Sequence, residues 1–375
     1  MRISLALSGG GVRATVFHLG VLGRLARQDL LGNVKIISSV SGGSLAAGLI
    51  FGAANQQWPT SQDFLNHVVP HVHERLTTKD LQWAYARKAL LCPWRLISGR
   101  ATILGDELER QWGIEGYLGQ LPESPSWLIN ATCFQTGKNW RFQRDLMGDY
   151  KTKYVLHPEF RLANALAASA AVPGLIGPLV IKSPRYRWFD LSEEPAAEFR
   201  PRYRRLHLWD GGVYDNLGVE SLYKPGVGLC EGTDFLMVSD ASRHLPGMPR
   251  HSWWNPGYLK ATLRLVDVAT DQVRSVRART LMDYFRNHPG SGVYLRMGRD
   301  TSGTLRQHSP DADHRLTRAE INEVASMETT LRQLSHREFS LLFRHGFEVA
   351  DVTLGTHGME RLADEPRSHV AFPAA

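Results

Sequence analysis

Residues 2–53 read RISLALSGGGVRATVFHLGVLGRLARQDLLGNVKIISSVSGGSLAAGLIFGA, and the fold class follows from their periodicity. Arg2–Ser8 is an apolar run of strand length, ended by the glycine turn Gly9–Gly11. From Val12 to about Gln28, Val16, Leu19, Leu22 and Leu25 recur at helical spacing. Val34–Val40 is a second apolar strand, and the alanine- and glycine-rich run from Gly43 to about Ala53 a second helix. Apolar strands alternating with helices imply an α/β fold in three layers, a mostly parallel central sheet with helices on both faces.

Further along, residues 55 to about 125 read as helical and hold Trp58, Trp83, Tyr85, Trp94 and Trp112. Strands are expected at Trp127–Phe134 and Asn139–Phe142 around the turn Gln135–Gly137, and an alanine-rich helix at Phe160–Ala171, stopped by Pro173–Gly174. Arg205–Trp209, Asp234–Ser239 and Gly292–Met297 read as strands, with a long helix at Tyr258–Asn287 and further helices to about Arg344. Residues 1–245 form the expected catalytic core, and residues 246–375 an α-rich extension that completes the same domain.

Composition narrows the function classes. Of 375 residues, 43 % are hydrophobic, enough for a substantial core. Three distant cysteines, Cys92, Cys133 and Cys230, form no CxxC pair, so neither a disulfide framework nor a zinc site is expected, and a reducing, cytoplasmic setting fits. The N-terminus reads as lacking a secretory leader, and no apolar run reaches the 18 or more residues of a membrane span. The net charge of +7, with clusters such as Arg200–Arg202–Arg204–Arg205, suits anionic headgroups, whereas no nucleic-acid-binding motif occurs. No spacing of the 15 histidines suggests a metal, no cofactor is expected, and nothing sets an oligomeric state.

Two loops carry the chemistry. Ser8–Gly9–Gly10–Gly11–Val12–Arg13–Ala14 joins a strand to a helix and leaves backbone N–H groups uncovered where the helix dipole favours negative charge. It lacks GxxxxGK[ST], and although Gly9, Gly11 and Ala14 match GxGxxA, no acidic residue ends the next strand, so nucleotide binding is set aside in favour of an oxyanion hole. The next strand ends in Ser39–Val40–Ser41–Gly42–Gly43–Ser44, a serine on a tight strand-to-helix turn, as in a nucleophile elbow. Adjacent parallel strands would deliver both loops to one edge of the sheet. An α/β-hydrolase places its nucleophile after several strands, and Ser41 comes too early for it.

A third element, Asp210–Gly211–Gly212, follows a short strand. In this order GGGxR, xSxG and DGG resemble the patatin-like phospholipases and their relatives, the cytosolic phospholipases, over roughly the first 240 residues. The resemblance implies that Ser41 is the nucleophile and Asp210 its base, that Gly9, Gly10, Gly11 and Gly42 line the oxyanion hole, and that Arg13 holds a lipid phosphate. It departs at Ser39, where the family carries glycine. Asn130–Thr132 with Gly137, and Ala167–Gly174, are weaker echoes, while Asp215 and Asn216 brace the DGG turn.

The expected function is hydrolysis of fatty-acyl esters of lipids at a membrane surface, of phospholipase A or lysophospholipase type, through a Ser–Asp dyad and an acyl-enzyme. Two alternatives stand beside it: a silent lipid-binding or scaffold protein on this fold, and a Ser-His-Asp esterase using His207, His314, His345 or His357. The Leu90–Trp94 tip and Trp253–Trp254 are candidates for contact with a membrane.

Overall fold

β1 (Ile3–Leu7) is buried along its whole length and β2 (Val34–Val40) at all but Lys35 and Ile36, so neither strand carries a solvent face. The computed structural model describes residues 1–243, 257–301 and 315–356. Between these strands runs α1 (Gly11–Arg27), and after them α2 (Gly42–Ala53), as their periodicity predicts. A helical layer follows: α3 (Ser61–Asp63), passing through a π-helical turn into α4 (Val69–Thr78), then α5 (Leu81–Leu91), α6 (Arg95–Ser98) and α7 (Arg100–Trp112). β3 (Ser126–Cys133) and β4 (Lys138–Phe142) flank the expected turn.

Residues 143–204 hold more strand than their sequence announces. β5 (Leu146–Asp149) and β6 (Lys153–Leu156) precede α8 (Leu162–Ser169), and β7 (Leu179–Lys182), β8 (Trp188–Asp190) and β9 (Ala197–Phe199) follow it. α8 is shorter than the predicted helix, because its last carbonyls turn outward to accept from the Asp210 loop and Pro173 supplies no N–H to continue it. Then come β10 (Arg205–Asp210), the single turn α9 (Gly212–Asp215), the two-residue strands β11 (Tyr223–Lys224) and β12 (Gly228–Leu229), and β13 (Phe235–Asp240). α10 (Gly257–Asn287), β14 (Gly292–Arg296), α11 (Arg318–Ser326) and α12 (His336–Thr356) complete the described chain. α12 runs past the expected end near Arg344, since Phe347, Val349, Ala350, Val352 and Leu354 continue its buried face.

The sheet is mixed. Its core, in the order β14–β13–β1–β2–β3, is parallel throughout, and β4, β5, β6, β8 and β9 extend it antiparallel from β3. α1 lies almost wholly buried and crosses α12 at Gly20 and Gly346. A Cβ at Gly20 would stand 2.0 Å from the Phe343 carbonyl, and one at Gly346 2.0 Å from that of Phe17. Only glycine permits so close an approach of two backbones.

β3 is the strand that assembles the site. β2 pairs with it in parallel as far as Val40↔Asn130, and β10 pairs antiparallel from Leu208↔Cys133 to Asp210↔Ala131. Because β4 occupies the other edge over Ile129–Cys133, β2 and β10 lie end to end along the same edge. The residue after Val40 and the last residue of β10 therefore meet. They are Ser41 and Asp210.

Candidate active site

Ser41 sits between β2 and α2 with φ 48° and ψ −116°, a backbone conformation that non-glycine residues rarely occupy and that must be held by its surroundings. Its N–H donates to Ser169 Oγ at 3.0 Å. Behind the turn, Ser169 Oγ shares a hydrogen bond with Ser44 Oγ at 2.8 Å, Ser44 with Ser39 at 2.9 Å, and Trp127 Nε1 donates to Ser39 Oγ at 2.8 Å. All four side chains are buried, so Ser39, where the resembled family has glycine, is a partnered member of a hydroxyl chain. Gly42 is obligatory at the turn: a Cβ there would lie 2.4 Å from the Gly11 carbonyl oxygen.

That contact brings the glycine loop against the elbow. Gly10 (φ 143°) and Gly11 (φ 61°) lie in the region that favours glycine. Gly9 N–H donates to the Asn216 carbonyl at 3.1 Å, and Val12 N–H to that of Thr330 at 3.0 Å. The N–H groups of Gly10, Gly11 and Gly42 have no partner among the described residues, and they stand at the N-termini of α1 and α2. The expectation for Gly9 is corrected on this point, because its N–H is already engaged.

Arg13 requires a second correction. It is 1 % exposed, and its guanidinium donates to the carbonyls of Ala241 at 2.8 Å, Ala325 at 3.3 Å and Met327 at 3.4 Å. Burial pulls its pKa down to about 10, which leaves it charged at neutral pH. A guanidinium enclosed by carbonyls beneath the loop is not displayed to a headgroup; it ties α1 to the ends of β13 and α11. Arg243 and Arg264, by contrast, line the cleft in front of Ser41.

Asp210 is 7 % exposed and accepts from Gly212 N–H at 2.7 Å, and the Ser41 hydroxyl lies near enough to favour its charged form. Desolvation pushes its pKa up to about 6 against the opposing pull of these two donors. Its backbone is fixed on both sides: Asp210 N–H donates to the Ala171 carbonyl at 2.9 Å, Gly211 N–H to that of Ser169 at 3.2 Å, and Thr132 Oγ1 to the Asp210 carbonyl at 2.8 Å. The end of α8 thus holds the backbone of Ser41 and of Asp210 together. Asp215 accepts from Leu217 and Glu220 N–H, bracing the turn after α9, and Asn216 Nδ2 donates to Ser242 Oγ.

The cleft over Ser41 and Asp210 encloses about 470 Å³ and is bordered by Gly9, Gly10, Val172, Pro173, Val213 and α10 residues from Arg264 to Arg274. Among the described residues no histidine lines it. His18 is buried between Ser8 O and Ser239 Oγ, and burial draws its pKa down to about 4. His345, likewise lowered to about 4, accepts from Gly298 N–H, and His207 pairs with the Gln135 side chain. His314, His357 and Trp253–Trp254 lie outside the described residues. Among the described residues no group of three or more His, Cys, Asp or Glu side chains is placed to hold a metal ion, and no helix is long and apolar enough to cross a membrane.

Residues 5–223 match the model of the family described as patatin-like phospholipase. The chain belongs to the patatin-like phospholipase family. Patatin-like phospholipase domain-containing proteins of Neosartorya fischeri and Neurospora crassa are 25 % and 26 % identical to it over 248 and 247 residues, each covering 65 % of the chain. The match spans only 30 % and 24 % of those proteins. Among solved structures, human GIVD cytosolic phospholipase A2 superposes with a TM-score of 0.56 at 17 % identity, covering 96 % of this chain and 60 % of that one. Its complex with methyl gamma-linolenyl fluorophosphonate gives 0.51 at 15 % identity, with 96 % and 58 % covered. At such identities the likeness concerns the fold, and it extends beyond the family match to β13, α10, β14 and α12.

Proposed function

We propose that this patatin-like protein is a serine hydrolase of fatty-acyl esters in lipids, of phospholipase A or lysophospholipase type, acting in the cytoplasm at membrane surfaces. The observation that carries the reading is the meeting of Ser41 and Asp210 where β2 and β10 run end to end on β3, both lining one cleft, with Gly10, Gly11 and Gly42 N–H groups left unpaired beside them. Asp210 takes the hydroxyl proton as Ser41 Oγ forms a bond to the ester carbonyl carbon. The carbonyl oxygen becomes an oxyanion facing the three N–H groups. Collapse breaks the ester C–O bond, and the leaving oxygen receives the proton from Asp210. Water then gives a proton to Asp210 and attacks the acyl-Ser41 carbonyl; the second collapse returns that proton to Ser41. A carboxylate with its pKa near 6 is mostly ionised at neutral pH yet more basic than an exposed one, which suits this role.

Hydrolysis of a phospholipid panel by wild type, Ser41→Ala and Asp210→Ala tests the reading. Fatty acid release by wild type, lost in both folded variants, is expected. Release that persists in folded Ser41→Ala contradicts the nucleophile assignment.

A further inference from the structure

The α5–α6 arm carries a surface that a solvated helix does not need. Trp83, Leu90 and Leu91 on α5 and Trp94 in the turn just past its end are between 65 % and 78 % exposed. The opposite face, with Leu81, Ala84 and Ala89, packs inward, so apolar residues occupy both sides of α5. Four large, exposed apolar side chains within twelve residues mark an interaction surface rather than incidental exposure.

Charge identifies the occupant. From Leu81 to Gly105 the chain has four basic residues, Arg87, Lys88, Arg95 and Arg100, and no acidic one. Lys88 and Arg95 fold back onto Asp106, at 3.2 and 2.7 Å. Arg87 stands within the exposed face, between Trp83 and Leu90, and Arg100, half-buried, follows the tip with its Nε donating to the Leu96 carbonyl at 3.1 Å. Tryptophan and leucine interleaved with arginine suit the headgroup–acyl boundary of an anionic bilayer, where indole and guanidinium stay hydrated while the aliphatic groups enter the apolar layer. The arm also touches the cleft: Tyr85 Oη donates to the carbonyl of Leu175, itself 69 % exposed, in the loop whose Val172 and Pro173 border Ser41.

We infer that this face docks the protein on an anionic membrane surface, with Trp83, Leu90, Leu91 and Trp94 inserting and Arg87 and Arg100 facing headgroups, so that the Ser41 cleft opens beside the bilayer. The inference rests on the lipid reading of the cleft for its purpose, and its test is separate from catalysis. The 375-residue chain is floated with phosphatidylcholine vesicles and with vesicles that also contain phosphatidylserine. Wild type and Ser41→Ala bind the anionic vesicles equally. Leu90→Ser/Leu91→Ser lowers the partition coefficient at least about ten-fold, as expected when the burial of two leucines is lost. Arg87→Gln/Arg100→Gln reduces binding to the phosphatidylcholine level, and both variants keep wild-type turnover of a short, water-soluble ester. In addition, a lipid-borne quencher dims the fluorescence of wild type more than that of Trp83→Phe/Trp94→Phe. Failure of hydrolysis in every form, with this binding pattern intact, would sink the esterase reading and leave the docking face standing. Unchanged vesicle binding in the leucine variant overturns the inference, as does light scattering that shows a wild-type dimer and a monomeric leucine variant, because a second copy would then cover the face.

Discussion

Ser169 is the residue whose position says most about how the site is held. Its Oγ accepts from Ser41 N–H and its carbonyl accepts from Gly211 N–H, so one residue at the end of α8 restrains both the strained serine and the turn after Asp210. Ser169→Ala should lower kcat by about ten-fold or more with little change in KM, since it relaxes the geometry of the reacting groups without removing either. Separate kcat and KM values on a soluble ester check this, and a pure rise in KM would count against it. Asp210 makes two predictions. With its pKa near 6 it loses the proton-accepting form in mild acid, so kcat/KM should fall about ten-fold per pH unit below that point. The stability effect has the opposite sense. The folded state keeps this carboxyl protonated to a higher pH than the unfolded chain, whose value is about 4, so its contribution to stability is fully present below pH 4 and is lost as pH rises to about 6. Above that, the buried charge costs of the order of 3 kcal/mol. Asp210→Asn, inactive but uncharged, should therefore be more stable than wild type at pH 7–8, with the gap closing toward pH 4 in denaturant titrations. Equal stabilities across that range would refute the buried-charge account.

At the scale of elements, the two loops that bear the site touch each other as well as the substrate space. A methyl at Gly42 would collide with the Gly11 carbonyl and push apart the three unpaired N–H groups, so Gly42→Ala should lose on the order of 100-fold in kcat. Near-normal turnover in the folded variant would make these contacts structural only. The βαβ opening was readable because β1 and β2 are apolar runs and α1 keeps a 3.6-residue period. Ser41, Asp210 and the glycine turn were readable as motifs. Adjacent parallel strands also placed the glycine turn beside Ser41, and the family resemblance paired Asp210 with it; what brings Asp210 there was not readable, because it depends on β10 following β2 along one edge of β3, a non-local pairing that no local pattern encodes. Strands β5 to β9 were missed for a related reason: three or four residues with partly exposed faces show too little alternation to read. Arg13 misled because a motif arginine says nothing about which way its side chain turns. Ser169 lay in the run Ala167–Gly174, read as a weaker echo of the family with no role given to the serine.

For the whole molecule, the part after residue 245 supplies β14 to the sheet edge and α12 over α1. We propose that it completes one folding unit with the core. A chain ending at residue 245 would leave Phe17 and the glycine face of α1 uncovered, and should be insoluble or molten; a truncated form with sharp, cooperative unfolding would contradict that. For the 375-residue chain we propose a two-residue mechanism, in which Asp210 acts on Ser41 with no histidine between them. The rate of phosphonylation by a fluorophosphonate, with the adduct located by mass spectrometry, tests it most directly. The expected result is a single adduct on Ser41, abolished in Ser41→Ala, strongly slowed in Asp210→Ala, and formed at the wild-type rate in folded His207→Ala, His314→Ala, His345→Ala and His357→Ala. An adduct elsewhere, or a folded histidine variant as unreactive as Ser41→Ala, would contradict the dyad.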